Sequence, residues 1–211
     1  INRLGFNGTG LAPFVERISR RKKGLGPFGA NVGKNKVTED GAADYEICIE
    51  AVAPYVDYLV ANVSSPNTPG LRAMQGREIL ADTLGRALAS GIDGMTVANT
   101  TSQRPATLTD PEAGEAGGLS GEPLFSMARE IVADMYTRTN GAVPIIGSGG
   151  IASGADAYAL IRAGASLVQF YSALVFHGPA LIPRMKRDLA ALLKRDGFSS
   201  VSDAVGADHK A

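Results

Sequence analysis

One cysteine, two histidines and no tryptophan leave this chain short of the side chains that most often carry chemistry. The single Cys48 excludes an internal disulfide and fits a reducing compartment. Its helical spacing with Tyr45, Ile49 and Val52 predicts a buried structural thiol rather than a nucleophile. No His-x-His or Cys-x-x-Cys spacing occurs, so no metal site is expected. His177, just before Gly178 and Pro179, is expected to close a helix or face solvent, and His209 lies in the C-terminal tail. An excess of one charge is also lacking. Lys plus Arg and Asp plus Glu number 21 each, which argues against a nucleic-acid partner. The basic cluster Arg20–Lys23 is most simply a solvated helix end. No apolar run approaches the ~18 residues of a membrane span, and no signal peptide is visible. The chain starts at Ile1 rather than at a methionine, so a preceding segment is expected.

What remains is an ordinary globular composition, 45% hydrophobic and 20% charged over 211 residues, enough for a substantial core. Apolar, β-rich runs predict strands over Phe28–Val32, Val56–Asn62, Gly94–Asn99, Pro144–Gly147 and Leu167–Tyr171. Between them the periodicity predicts helices over Gly10–Arg20, Thr38–Ala53, Ile79–Ser90, Leu124–Arg138, Gly154–Ala163 and Pro179–Lys194. Thr38 and Ser153 are candidate N-caps. Strict alternation implies a parallel α/β sheet, doubly wound or closed into a barrel. Polar residues end four of the strands (Asn31, Asn62, Asn99 and Ser148), which favours a (β/α)8 TIM barrel with its site at the strand C-termini. Five strands are too few for a complete one.

Two features suggest a ligand. In "VPIIGSGGIASGADAYALIRAGASLVQFYSAL" a strand runs into Gly149 and Gly150 before a helix, and the next strand ends at Tyr171 and Ser172. Glycine turns at helix starts let backbone amides approach an anion, so a phosphate site is expected there. The loop "GGLSGEPL", with Ser120 and Gly121, could join it; the simpler alternative is a pair of tight turns. The second feature is "ANVSSPNTPG", which carries amides and hydroxyls and no charge before Arg72. A carboxamide matches either edge of a neutral, amide-like ring. Asn62, Asn67, Asn99 and Thr100, with Asn2, would suit a pyrimidinedione, although each asparagine singly is most simply a turn residue. Acid–base groups are scarce, which leaves the hydroxyls of Ser64, Ser65 and Thr68; without a neighbouring histidine these are weak bases.

The stretches "INRLGF", "GANVGKNK", "NVSSPNTPGLR", "GIDGMTVANTT", "GGLSGEPL", "VPIIGSGGI", "AGASLVQFYSAL" and "GFSSVSDAVGADH" together resemble the class 2 dihydroorotate dehydrogenases, in the same order from Ile1 to His209. The resemblance implies a single FMN-binding (β/α)8 barrel domain over residues 1–211 that oxidises dihydroorotate to orotate in pyrimidine synthesis. A membrane quinone would be the final electron acceptor. It implies Ser65 as catalytic base, with Phe6 and Thr68 beside the proton relay. It implies Asn2, Asn62, Asn67, Asn99 and Thr100 as orotate ligands. For FMN it implies Asn31, Asn62, Ala98, Gly121, Gly150, Tyr171 and Ser172, the last three at the phosphate, where Ser120 and Gly149 are also placed. Class 1 enzymes use cysteine as base, so Ser65 implies class 2, with quinone rather than fumarate or NAD as acceptor.

The resemblance also implies peripheral attachment to the bacterial inner membrane, or to the mitochondrial one in a eukaryote, through a segment outside this sequence. The N-terminal part of the barrel is expected to be missing, and so is one strand–helix unit near residues 77–82, where the family carries a "V-K-I-A-P"-like strand. The lysine of that strand lies near the flavin, where a cation stabilises the reduced form. Two alternatives stand beside this reading: a flavin-free, phosphate-binding barrel lyase or isomerase, and a non-catalytic barrel remnant.

Overall fold

A computed structural model describes residues 1, 8–22, 24, 26–33, 41–62 and 92–210. They belong to two compact units, residues 4–75 and residues 1–3 with 76–211. The expected Ile79–Ser90 helix, the Thr38 cap and the 77–82 stretch lie outside the described residues.

The smaller unit alternates α1 (Leu11–Ser19), β1 (Gly29–Val32), α2 (Gly41–Val52) and β2 (Tyr58–Ala61). The strands pair in parallel, from Gly29 opposite Tyr58 to Val32 opposite Ala61. A Cβ on Gly29 would lie 2.1 Å from the Tyr58 ring, so a side chain there would displace that exposed ring. Leu11, Phe14, Val15 and Ile18 recur at helical spacing and pack with Ala30 and Val52. The helix α2 stops before Pro54, which opens a 3₁₀ turn, Ala53–Tyr55. At the end of α1 the basic cluster is occupied locally. Arg20 pairs with Glu16 at 2.6 Å, and Arg21 donates to the Gly26 carbonyl and lies 4.5 Å over the Phe28 ring. Cys48 is half-buried, and burial followed by the Asp44 charge raises its pKa, so the thiol stays protonated. Val52 is buried as expected, whereas Ile49 is 38% exposed, so the α2 stripe is narrower than the spacing implied.

The larger unit contains β3 (Met95–Val97), α3 (Phe125–Arg138), β4 (Ile145–Ser148), α4 (Gly154–Arg162), β5 (Leu167–Gln169), α5 (Ser172–His177), α6 (Leu181–Arg195) and α7 (Val201–Ala204). The sheet order is β3-β4-β5, all parallel, with Met95 opposite Ile145 and Ile146 opposite Leu167. Among the described residues the five strands form these two ladders and do not close into one ring. Ala128, Val132 and Met135 of α3 are buried at helical spacing, and Val132 and Met135 join Ile145, Leu160, Leu181 and Met185 in the main core. Gly154 lets α4 approach α6, since a Cβ there would meet that of Asp188 at 2.4 Å. The Ser153 hydroxyl caps α4 by accepting from the Asp156 amide (3.1 Å), as the sequence predicts. One expectation fails: Ser172 is not the end of a strand but the first residue of α5. "SALVFH" has an unbroken apolar centre, Ala173–Phe176, and is under two turns long, so it has no periodicity to distinguish it from a continuing strand.

The C-terminal segment is tied back by charge. Arg162 donates to Asp208 (2.7 Å) and lies 3.5 Å from Asp196, while Tyr158 (2.7 Å) and Arg195 (2.7 Å) also donate to Asp196. The Arg195 and Tyr158 hydrogen bonds hold the Asp196 carboxyl well below the usual carboxylate range. Its contribution to stability is therefore complete above the unfolded value of about 4 and is lost as the pH falls toward the depressed folded value. Asp196→Asn should lower stability at neutral pH by a small amount and flatten the loss between about pH 4 and pH 2, read by denaturant titration at each pH. Leu160→Ala, at a fully buried position, should cost about 2–5 kcal/mol in the same assay at pH 7.

Candidate active site

Because β3, β4 and β5 run in parallel, the residues after each strand emerge at one edge of the sheet. Ala98, Asn99 and Thr100 follow β3; Gly149 and Gly150 follow β4; Phe170, Tyr171 and Ser172 follow β5. The Ala98 amide donates to the Ser148 carbonyl at 2.9 Å, which locks the first two groups together. Ser120 and Gly121 arrive from the long loop after β3. They are placed by a bridge in which the Thr101 and Leu119 amides each donate to the other's carbonyl, at 3.2 and 2.7 Å.

These segments line a cleft of about 680 Å³, within the roughly 300–1,000 Å³ usual for small-molecule sites. Ala98, Ser120, Gly121, Gly149, Gly150, Tyr171 and Ser172, the candidate cofactor residues of this unit, all line it, as do Asn99 and Thr100 from the candidate substrate set. Apart from the Glu122 carboxylate and the His177 ring, its polar equipment is neutral. The Ser172 hydroxyl donates to that of Ser120 at 3.3 Å, so both hydroxyls converge on one place. The Asn99 Oδ1 accepts from the Thr100 amide at 2.7 Å, an Asx-type turn that orients the carboxamide. Among the described residues no Lys or Arg lines the cleft.

Leu124, Ile151, Ala152, Phe170, Phe176 and His177 also line the cleft and were not anticipated. The apolar ones read as core in the sequence, and no periodicity marks which core residues border a cavity. His177 ends α5 and is exposed, as expected, but it also reaches the cleft.

Gly149 and Gly150 prove to be required for a reason the sequence does not display. Both have positive φ, 123° and 71°. A Cβ on Gly150 would fall 2.5 Å from the Phe125 amide nitrogen, and one on Gly149 would fall 2.8 Å from the Ala128 Cβ. Helix α3 presses on this turn, so the glycines serve helix–strand packing before they serve any ligand.

In the smaller unit, Asn31 is an exposed residue of β1, and Asn62 follows β2 directly. Asn62 is held through its backbone: its amide donates to the Val32 carbonyl (2.8 Å) and its carbonyl accepts from the Tyr45 hydroxyl (2.7 Å). Asn2, Phe6, Ser65, Asn67 and Thr68 lie outside the described residues.

A family model described as dihydroorotate dehydrogenase matches residues 1–90 and 82–193. The chain is 50% identical to the dihydroorotate dehydrogenase (quinone) of Azorhizobium caulinodans, over 99% of this chain and 69% of that protein. It is 49% identical to that of Rhodospirillum rubrum, over 100% and 66%, and 41% identical to the mitochondrial enzyme of Oryza sativa, over 100% and 58%. A crystal structure of the Eimeria tenella enzyme in complex with ferulenol superposes with a TM-score of 0.91 at 37% identity, covering 100% of this chain and 72% of that one. The chain thus spans about two thirds of the bacterial relatives. The alignment to the Azorhizobium protein runs over 247 positions against 211 residues here, so at least 36 of its positions have no counterpart. The family match also restarts at residue 82, beside the 77–82 stretch where a strand–helix unit is expected to be missing. These likenesses make the fold an incomplete version of the α/β barrel of these enzymes, and they displace the flavin-free lyase or isomerase alternative. A motif set in family order, a cleft built at the strand C-termini and relatives of one description lead to one conclusion: the chain belongs to the dihydroorotate dehydrogenase family, in its quinone-dependent class.

Proposed function

We propose that the cleft holds FMN and that dihydroorotate is oxidised against it, within a single catalytic domain. The observation that carries this reading is the convergence of Ala98, Ser120, Gly121, Gly149, Gly150, Tyr171 and Ser172 on one cleft, from three strand ends and a distant loop. The donor set fits the cofactor. Paired serine hydroxyls and loop backbone suit a phosphate, while Leu124, Ile151 and Phe170 offer apolar wall. Asn31 and Asn62 are assigned to the flavin as well, on the family match. Bound FMN supplies the two-electron acceptor for the hydride that leaves the substrate.

The chain's own residues would do the rest. Asn99 and Thr100, with Asn2, Asn62 and Asn67, hold the neutral ring edge of dihydroorotate through amides and hydroxyls. Oxidation removes a hydride from one carbon and a proton from its neighbour, and the proton needs a protein acceptor. Ser65 would take it on its hydroxyl oxygen while its own proton passes to Thr68 or water, and Phe6 is assigned to the same relay on the family match. A serine is a poor base alone, so the step depends on the hydride leaving just before or in concert, which makes the neighbouring C–H acidic.

A quinone takes the electrons in this class. Phe176, 81% exposed, and its neighbour Val175, at 74%, leave apolar side chains at the cleft that suit a lipophilic acceptor. Among the described residues no helix is long and apolar enough to cross a membrane. Attachment is assigned to the periphery of the inner membrane, bacterial or mitochondrial, through a segment outside this sequence; relatives from rice and Arabidopsis thaliana are described as mitochondrial.

Four outcomes test this reading. The purified protein should be yellow, and a colourless chain that takes up no added FMN would instead support the non-catalytic remnant. Ser172→Ala, which removes one hydroxyl from the pair and leaves a good helix former, should weaken FMN binding roughly tenfold, as expected for one hydrogen bond to a charged group. Flavin fluorescence on dilution reads this, and unchanged retention would move the phosphate elsewhere. Ser65→Ala should keep FMN and orotate binding but slow flavin reduction by dihydroorotate at least ~10²-fold in stopped flow. Ser65→Cys should recover rate as the pH rises toward the ~8.5 of a thiol. Reduction at the wild-type rate in Ser65→Ala would place the base on another residue.

A further inference from the structure

Arg104 lies on none of the strands and does not line the cleft, yet its guanidinium makes six hydrogen bonds, all to backbone carbonyls. Its two Nη1 hydrogens are shared among the Thr101, Ser102 and Gln103 carbonyls at 3.3, 3.0 and 3.1 Å, so one of these bonds is three-centred. Its Nε donates to Ala113 at 2.8 Å, and its Nη2 to Glu115 and Gly117 at 2.8 and 2.9 Å. Three of these carbonyls belong to the arm of the loop that leaves β3, and three to the arm that returns to Leu119. A planar fork with five N–H donors can serve both arms at once; an ammonium on a flexible stem cannot.

The position of this staple matters. Between Thr101 and Leu119 the chain has no strand of its own, only the mutual bridge of those two residues and a 3₁₀ turn, Pro111–Gly114. A loop of that length is ordinarily a source of conformational multiplicity. Its two ends, however, are parts of the cleft: Asn99 and Thr100 precede Thr101 directly, and Ser120 and Gly121 follow Leu119 directly. Leu119 is buried, which anchors the returning arm in the core but not the arm that leaves.

We propose that Arg104 is a positioning residue for the reaction. By stapling the two arms of the 101–119 loop it holds Asn99–Thr100 and Ser120–Gly121 in a fixed relation, and so couples the substrate side of the cleft to the cofactor side without touching either ligand. This rests on the assignment of the cleft to FMN and dihydroorotate.

The test compares Arg104→Lys, Arg104→Ala and the control Arg138→Ala, which breaks only a surface pair with Asp134. FMN content, orotate affinity from the flavin absorbance change at saturating FMN, and the thermal midpoint are measured on each. In Arg104→Lys orotate affinity should fall roughly 10- to 100-fold well below the melting temperature, the scale on which lost supporting contacts and small misplacements act. FMN content should fall with it, more so in Arg104→Ala, while Arg138→Ala keeps both. A wild type that binds FMN and orotate beside an Arg104→Lys that binds them equally well would overturn the role of Arg104 alone. So would an Arg104→Lys that loses binding only in proportion to its unfolded fraction. A wild type that binds neither ligand would overturn the flavin assignment and this inference together.

Discussion

The parallel pairing of β3, β4 and β5 is the constraint on which the site depends. Parallel strands all end at the same edge, so three segments far apart in sequence deliver their next residues to one place. The register makes this quantitative, with Val97 opposite Gly147 and Ser148 opposite Gln169. A slip of one residue would exchange the two faces of a strand and send Ala98 or Gly149 to the wrong side. The main core resists such a slip, because Ile145 is fully buried on one face while Ile146 on the other is only partly so.

The cleft is maintained by packing that lies behind it. Helix α3 bears on the turn at Gly149 and Gly150 so closely that neither position has room for a Cβ. Helices α4 and α6 meet at Gly154, and the C-terminal segment is held to α4 by Arg162, Asp196 and Asp208. With the scaffold secured in this way, the cleft can be furnished by neutral groups on loops, the Ser120 and Ser172 hydroxyls and the Asn99 carboxamide among them. Neutral donors suit a neutral ring. A surplus of fixed charge would bind its anionic parts more tightly but would discriminate less between ring edges, since a point charge lacks the paired donor and acceptor of an amide.

Much of this was legible beforehand, and the misses have physical causes. The strands near Phe28, Val56, Gly94, Pro144 and Leu167 and the helix at Leu124–Arg138 follow from alternation and periodicity that the structure keeps to within a few residues. The Ser153 cap was visible because a serine before Gly154–Ala155–Asp156 has one obvious amide to satisfy. Helix α5 was missed because a short apolar segment looks the same in either conformation. The cleft-lining roles of Ile151, Phe170 and Phe176 were missed because burial against a ligand and burial against a core use the same residues. The hydrogen bonds of Arg104 could not be foreseen at all, since backbone carbonyls carry no sequence signature.

By itself, then, the sequence determined the class of the protein. The order of strands and helices, the neutral asparagine-rich loop, the glycine turn before Ile151 and the serine at position 65 are local facts of composition and spacing, and each remains true whatever the chain folds into. Tertiary structure alone decided which of those residues share a wall. Ser120 meets Ser172 across 52 positions of chain, and Gly150 is a glycine because Phe125 lies against it. Such contacts depend on how far one helix can settle onto one turn, a distance set by the packing of the whole core rather than by either partner's neighbours in sequence.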